Sequence, residues 1–323
     1  MICMNKNEHF AIFKNDFSQA ASATERASIF LKLIYYSLER PVADFFIRKK
    51  LKTYSVPEYI LNYVDLFLKN EGGMFKKYAY ALCNRLSEIR NSLVLVPGIG
   101  YGRNMLQLAA WRPKKIIAFD LYEYKEEWDF LKRTIKEKFD VEVIFLKGDF
   151  GILDDNLVGS FDFIITDGVW EHVKNLPVFL ADSKKFLKNG GIYYASFGPL
   201  WWGPGGDHVN WGEKEYFNHL LFSEEKYVEE FNKRFKQEKI AEDSSEGAFL
   251  VEQKLFSFLK VEDYLNDLRE AGFKKELCYA KISQRMLSLM KGNQNLFLKL
   301  NGKNVPLFDR FCKGLYLWLK LDK

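Results

Sequence analysis

The clearest chemical signal in the chain is Gly98-Ile99-Gly100-Tyr101-Gly102, which follows the apolar run Leu93–Val96 and Pro97. Glycines let a backbone turn sharply and place no Cβ between it and a ligand, and a helix start offers free N–H groups. Helical text opening at Arg103 is expected right behind this turn. Two ligand classes use such a turn. A dinucleotide turn of the form G-x-G-x-x-G would put its last glycine at position 103, where Arg103 stands. The spacing found, G-x-G-x-G, therefore speaks against a nicotinamide dinucleotide, although a lone glycine motif decides little.

Acidic residues at the ends of the following apolar runs add to the signal. Asp120 ends the second run, 18 residues past Gly102, where a carboxylate can accept both hydroxyls of a ribose. The third run ends in Lys147-Gly148-Asp149-Phe150, and the fourth in Thr166-Asp167-Gly168-Val169-Trp170-Glu171-His172-Val173. In order and spacing these segments resemble class I S-adenosylmethionine-dependent methyltransferases of the small-molecule type. Their usual text is a strand, Leu-Glu-His-Val, a helix, and Lys-Pro-Gly-Gly; here the last element is Lys188-Asn189-Gly190-Gly191. The likeness covers about 100 residues, from 93 to 197.

That resemblance implies S-adenosylmethionine as cofactor and assigns residues to it. Pro97, Gly98, Ile99, Gly100, Gly102 and Asn104 would wrap its amino-acid end, with Asp167 and Gly168. Asp120 and Leu121 would meet the ribose, and Asp149 and Phe150 the adenine. One departure stands out. The family usually carries an acid two residues before the first glycine, near the cofactor's ammonium; here that position is Val96. The ammonium would then rely on backbone carbonyls or Asp167, or else the domain would be non-catalytic.

An acceptor would be held past the carboxyl ends of the strands, at the switch between the first and fourth. After the fifth run comes Gly198-Pro199-Leu200-Trp201-Trp202-Gly203-Pro204-Gly205-Gly206-Asp207-His208-Val209-Asn210-Trp211. Six of the nine residues from 198 to 206 are Gly or Pro, so a loop is expected. Tyr101, Trp170, Trp201 and Trp202 are the expected acceptor-facing rings, and a hydrophobic plug for the core is the competing reading. Methyl transfer to a hydroxyl needs a proton acceptor. His208 beside Asp207 is the first candidate, His172 the second, and His219 reads as structural. No metal site is expected.

The turn after the fourth run, Asp167-Gly168-Val169-Trp170, is not the Asp/Asn-Pro-Pro-Tyr/Phe text of enzymes methylating nucleic-acid bases. The Gly/Pro/Trp loop loosely resembles bacterial methyltransferases of surface polysaccharide and sugars. It implies O-methylation of a sugar or glycan precursor. The alternative is a non-catalytic, or N- or C-methylating, module of the same fold.

The elements that must position these groups are legible as texture. Apolar runs at Leu93–Val96, Lys115–Phe119, Val141–Leu146, Phe161–Thr166 and Ile192–Phe197 alternate with amphipathic stretches, as parallel βαβ units require. Lys125–Phe139 and 176–187 are the predicted intervening helices, the second stopped by Gly190-Gly191. Strands that are apolar almost throughout are covered on both faces. A predicted helix at Val261–Ala271 and strands at Phe273–Ile282 and Gly314–Leu321 would complete a seven-stranded sheet. The expected fold is a doubly wound, Rossmann-like α/β domain, mostly parallel, over 91–323, with an inserted helical and loop region at about 198–260. Residues 1–90 read as a helical N-terminal segment whose plainer role is packing against the core, a lid or homodimerisation element being the alternative, and Gln237–Gly247 as an exposed loop.

Bulk composition narrows the partners. A net charge of +5 over 323 residues, with no concentrated basic stripe beyond Arg48-Lys49-Lys50, argues against nucleic acid. The four cysteines are far apart and form no CxxC pair, so neither a zinc knuckle nor a disulfide framework is expected. No signal pattern or transmembrane run is evident, and a cytoplasmic location with a small-molecule acceptor is the expectation.

Overall fold

A computed structural model of the chain describes residues 89–102, 104–209, 211–212, 215–235, 254–282, 286, 293–306 and 308–321. The helical segment expected over 1–90 and the loop expected at Gln237–Gly247 lie outside the described residues, apart from 89 and 90.

Seven strands form one sheet: β1 Leu93–Pro97, β2 Lys115–Asp120, β3 Glu142–Lys147, β4 Phe161–Asp167, β5 Leu187–Phe197, β6 Phe273–Ile282 and β7 Cys312–Leu321. Their order across the sheet is β3-β2-β1-β4-β5-β7-β6. Pairing of β1 with β2, β1 with β4, and β2 with β3 is parallel. The chain thus runs outward from β1 to β3, then returns to the other side of β1 with β4, which places a topological switch between β1 and β4. Val94, Leu95, Ile116, Ala118, Phe161 and Ile164 are fully or almost fully buried, as near-continuous apolar strands demand.

The helices are α1 Met105–Ala110, α2 Lys125–Phe139, α3 Leu176–Phe186, α4 Asn218–Leu221, α5 Glu224–Phe235, α6 Val261–Glu270 and α7 Gln294–Gly302. Helix α2 buries Trp128, Leu131, Ile135 and Phe139 at helical spacing. Glu126 and Glu127 sit in its first turn and Lys136 and Lys138 in its last, complementing the helix dipole. The described residues divide into two compact units. One takes the described residues before Gly168, together with 182–194 and those from 318 on; the other takes 168–181 and 195–317.

Two boundaries differ from the sequence reading. Helix α1 begins at Met105, not Arg103. Gly190-Gly191 do not cap α3: the helix ends at Phe186 and both glycines lie inside β5, Gly190 with φ +74°. Residues expected as an insertion carry α4 and α5 and, among those described, no strand.

Candidate active site

The first unit assembles the glycine turn. Gly98 and Ile99 donate backbone N–H groups to the carbonyl of Phe119 at 2.8 and 3.1 Å, which pins the turn to the end of β2. Gly98, Gly100 and Gly102 all have positive φ, +68°, +52° and +80°. An added Cβ at Gly100 would meet open space, whereas one at Gly102 would stand 2.4 Å from Leu131 Cδ1. So Gly102 is needed for close contact with α2, and Gly100 leaves a backbone that a ligand can approach.

Asp120 holds this cradle from the tip of β2. One carboxylate oxygen accepts from Gly100 N at 2.8 Å and the other from Tyr122 N at 3.0 Å. A carboxylate offers about four lone-pair positions, so hydroxyl donors can still be accommodated. Leu121 and Tyr122 project beyond it, 65% and 61% exposed. Exposed apolar surface beside a strand-end acid is suited to covering a nucleoside.

Asp149 follows β3; its side chain is exposed and one oxygen accepts from Gly151 N at 2.8 Å. Phe150 is buried, stacked on Phe186 and edge-on to Phe119. Asp167 ends β4 and accepts a hydrogen bond from Asn104 Nδ2 at 2.6 Å, which links α1's start to the fourth strand. Pro97, Gly98, Gly100, Asp120, Asp149 and Asp167 therefore stand at or just past the carboxyl ends of the four adjacent parallel strands β3-β2-β1-β4. Val96 is buried at 6% exposure within β1. Trp128 was missed by sequence reasoning: its Nε1 donates to Gly100 O at 2.8 Å, fixing the turn from α2. A tryptophan inside the predicted helix Lys125–Phe139 carries no local signal of that contact.

These residues fit S-adenosylmethionine: an open, glycine-lined backbone, a strand-end carboxylate for the ribose, and exposed apolar surface beside it. When bound, that group supplies an electrophilic methyl on a sulfonium. The protein's part is to bind it, hold its orientation and exclude water.

In the second unit the loop expected to carry the acceptor is tightly packed. Gly198 has φ +121°, and a Cβ there would stand 2.3 Å from Lys313 O and 2.7 Å from Gly314 Cα. Gly198 N donates to Glu171 Oε1 at 2.8 Å. Asp207, expected to orient His208, is turned elsewhere: fully buried, it accepts from Trp211 Nε1 at 2.6 Å and Tyr227 OH at 2.9 Å. Burial and that carboxylate push the Tyr227 hydroxyl's pKa up. His219 lies within the same interior, with Nε2 donating to Trp201 O at 2.7 Å and Nδ1 3.7 Å from Asp207 Oδ1. Its burial keeps it neutral by lowering its pKa.

Trp170 is fully buried against Phe197, and Trp211 is buried with Tyr227 and Phe231. Trp201 and Trp202 are half-buried, and Trp202 Nε1 donates to Phe258 O at 2.8 Å. Trp201's ring meets Phe256 and Phe258. Trp170, expected to face an acceptor, is instead a core residue, and Trp211 at the end of the loop also fills the core, while Trp201 and Trp202 are only partly covered. Tyr101, in the first unit, packs on Tyr124 at 4.2 Å between centroids.

His172 and His208 converge, their ring centroids 5.0 Å apart and nearly perpendicular, each also against Phe256. His172 Nδ1 lies 3.0 Å from Leu255 O, and His208 Nε2 3.1 Å from Pro199 O. A carbonyl only accepts, so each of these ring nitrogens is the donor. Desolvation by surrounding atoms, then the neighbouring His172, pushes the pKa of His208 down to about 4, although part of the residue reaches solvent. Burial lowers the pKa of His172 as well. At neutral pH both rings are uncharged and each keeps one lone pair.

The family comparison agrees with the geometry. Residues 73–277 match a methyltransferase-domain family. Similar solved structures include an S-adenosylmethionine-dependent methyltransferase from Mesorhizobium loti, 14% identical, covering 74% of this chain and 97% of that one, with a TM-score of 0.43. A putative methyltransferase from Bacillus halodurans is 17% identical over 74% of this chain and 98% of its own, TM-score 0.43. A Haemonchus contortus phosphoethanolamine N-methyltransferase is 15% identical over 74% of this chain and 53% of its own, TM-score 0.43. No curated protein matches the chain. The family match spans well over half of the 323 residues, and the chain belongs to the class I S-adenosylmethionine-dependent methyltransferases.

Proposed function

We propose that the chain methylates a hydroxyl of a small molecule, a sugar or glycan precursor being the class its loop suits best. The observation that supports this is His208: partly exposed, neutral, and with its Nε2–H committed to Pro199 O, so that Nδ1 keeps the lone pair of a hydrogen-bond acceptor. A hydroxyl is the group that needs such an acceptor. In the reaction the carbon–sulfur bond to the methyl breaks as the carbon–oxygen bond forms, the sulfonium becomes a neutral thioether, and the hydroxyl proton must leave. A pKa of about 4 makes His208 a weak base for an ordinary alcohol. As the new bond forms, however, the oxygen turns cationic and strongly acidic, and a weak base then suffices. The open sides of Trp201 and Trp202 supply flat apolar surface of the kind that stacks on sugar rings.

Val96 favours a second reading, in which the cofactor is bound but not consumed. The test for both is a panel of hydroxylated, amine and carboxylate acceptors incubated with S-adenosylmethionine, with S-adenosylhomocysteine release as the readout. Turnover with a hydroxylated acceptor, reduced at least tenfold in His208→Ala, supports O-methylation. Turnover confined to amines overturns it, and tight cofactor binding without turnover on any acceptor favours the second reading.

A further inference from the structure

We propose that Glu171, His172 and His208 form a binding site for a divalent transition-metal cation with an N2O ligand set. One ligand atom from each lies within 4.8 Å of the others, so a single ion can be reached by small side-chain rotations. Bonds of roughly 2.0–2.2 Å require ligand atoms about 3–3.5 Å apart, a closure of at most about 1.5 Å. A hydrogen bond to a carbonyl sets the tautomer of each ring and leaves its other nitrogen able to ligate. His172 donates through Nδ1 to Leu255 O, and His208 through Nε2 to Pro199 O, so the opposite nitrogen of each carries the lone pair. Ligating histidines are commonly held this way, by a backbone carbonyl on the far nitrogen.

Glu171 supplies the negative charge. It is 1% exposed, in the one-turn 3-10 segment Trp170–His172. Gly198 N holds its Oε1 at 2.8 Å, and Ser257 N holds its main-chain carbonyl at 2.7 Å. One carboxyl beside two imidazoles is a ligand set that suits a divalent transition-metal cation. Solvent reaches the cluster at His208, which gives an ion an entry path. Two imidazoles and one carboxylate suit Zn2+, Mn2+, Fe2+ or Co2+ rather than Ca2+, which takes oxygen alone, or Cu+, which takes thiolate.

Three protein ligands leave at least one coordination position open, the pattern of a working site rather than a structural one. An oxygen-bearing acceptor, above all one with two adjacent oxygens, is the ligand class for that position. This use of the site rests on the O-methylation reading; the binding of the ion does not. Ligation and proton acceptance by His208 exclude each other: in the metal-bound form His208 is a ligand and the acceptor's proton would leave to solvent, whereas in the metal-free form His208 can take it.

The test uses the full chain, stripped with a chelator, desalted and titrated with Zn2+, Mn2+ and Co2+ separately, with no acceptor or cofactor. The readouts are metal equivalents per chain after gel filtration and, for Co2+, its visible absorption. The expected result is about one equivalent bound by at least one ion, with affinity falling at least tenfold to a hundredfold in His208→Ala and in His172→Ala. S-adenosylhomocysteine affinity should be unchanged in both variants, showing that they fold. Glu171 is buried and holds Gly198, so Glu171→Gln can fail to fold; His208→Ala, at the solvent edge, carries the test. Less than a tenth of an equivalent with every ion, or undiminished binding in His208→Ala, overturns the proposal. Because no acceptor is used, failure here is distinct from failure of the O-methylation reading.

Discussion

At the residue scale, Asp120 fixes the glycine turn and is the carboxylate proposed to meet the ribose. Its two oxygens fix Gly100 and Tyr122, and hydrogen bonds to a charged group are worth about 1.5–3 kcal/mol. Asp120→Ala should weaken S-adenosylhomocysteine binding roughly tenfold to a hundredfold by calorimetric titration; unchanged affinity would remove Asp120 from the site. Leu121 is the complementary case. Since 65% of it is exposed, Leu121→Ser should leave the melting temperature within about 1 °C, while ligand affinity falls several-fold from lost apolar cover. A drop in stability with affinity intact would place Leu121 in the core instead. Gly102→Ala must put a side chain at φ +80°, a strain of about 1–2 kcal/mol, and press on Leu131.

At the scale of elements, Asp207 ties the loop after β5 to α5. Asp207→Ala would strand two buried donors, Trp211 Nε1 and Tyr227 OH, and should cost about 3–5 kcal/mol in denaturant unfolding, against about 1–2 for Tyr227→Phe. Equal small losses would mean that the loop has other anchors. None of this could be read beforehand, because Asp207 adjoins His208 in sequence and only side-chain direction decides which neighbour it serves. The strands were legible: apolar β-rich runs between amphipathic stretches predicted all seven, most within two residues at each end. Strand β5 was the exception, because Gly190-Gly191 read equally well as a helix stop. Helix α6 offers a pH test. Asp309 Oδ1 accepts from Val261 N at 3.0 Å, and burial raises its pKa to about 6 despite that hydrogen bond. A native pKa above the unfolded value of 3.8 means that its stability contribution is full below pH 3.8 and lost as pH rises towards 6. Asp309→Asn keeps the acceptor and removes the charge. Its melting temperature should therefore gain on wild type between pH 4 and 7, by the equivalent of about 3 kcal/mol at most. A gap that stays constant with pH would show that Asp309 ionises normally.

At the scale of the whole molecule, the residues expected to hold the cofactor stand at four strand ends, and this is why sequence alone could group them. A parallel sheet sets its strand tips side by side, so the residue after each apolar run is placed by register rather than by side-chain detail. The Glu171–His172–His208 cluster has no such rule behind it. Its members meet through a loop closed by Gly198 against Lys313 and Gly314, a contact that no local pattern announces. The difference predicts where ligand binding should register. At 100 times its dissociation constant, S-adenosylhomocysteine stabilises the fold by about 2.7 kcal/mol, and NAD should give no shift. In hydrogen exchange, that protection should concentrate at 98–102, 120–122 and 148–150, because these backbone N–H groups border the strand-end cradle. The amides of α5 and α7 would change little if the ligand touches only that cradle. Protection confined to α5 or α7, or a thermal shift with NAD alone, would place the nucleotide outside the glycine turn and undo the cofactor assignment of Asp120 and Asp149.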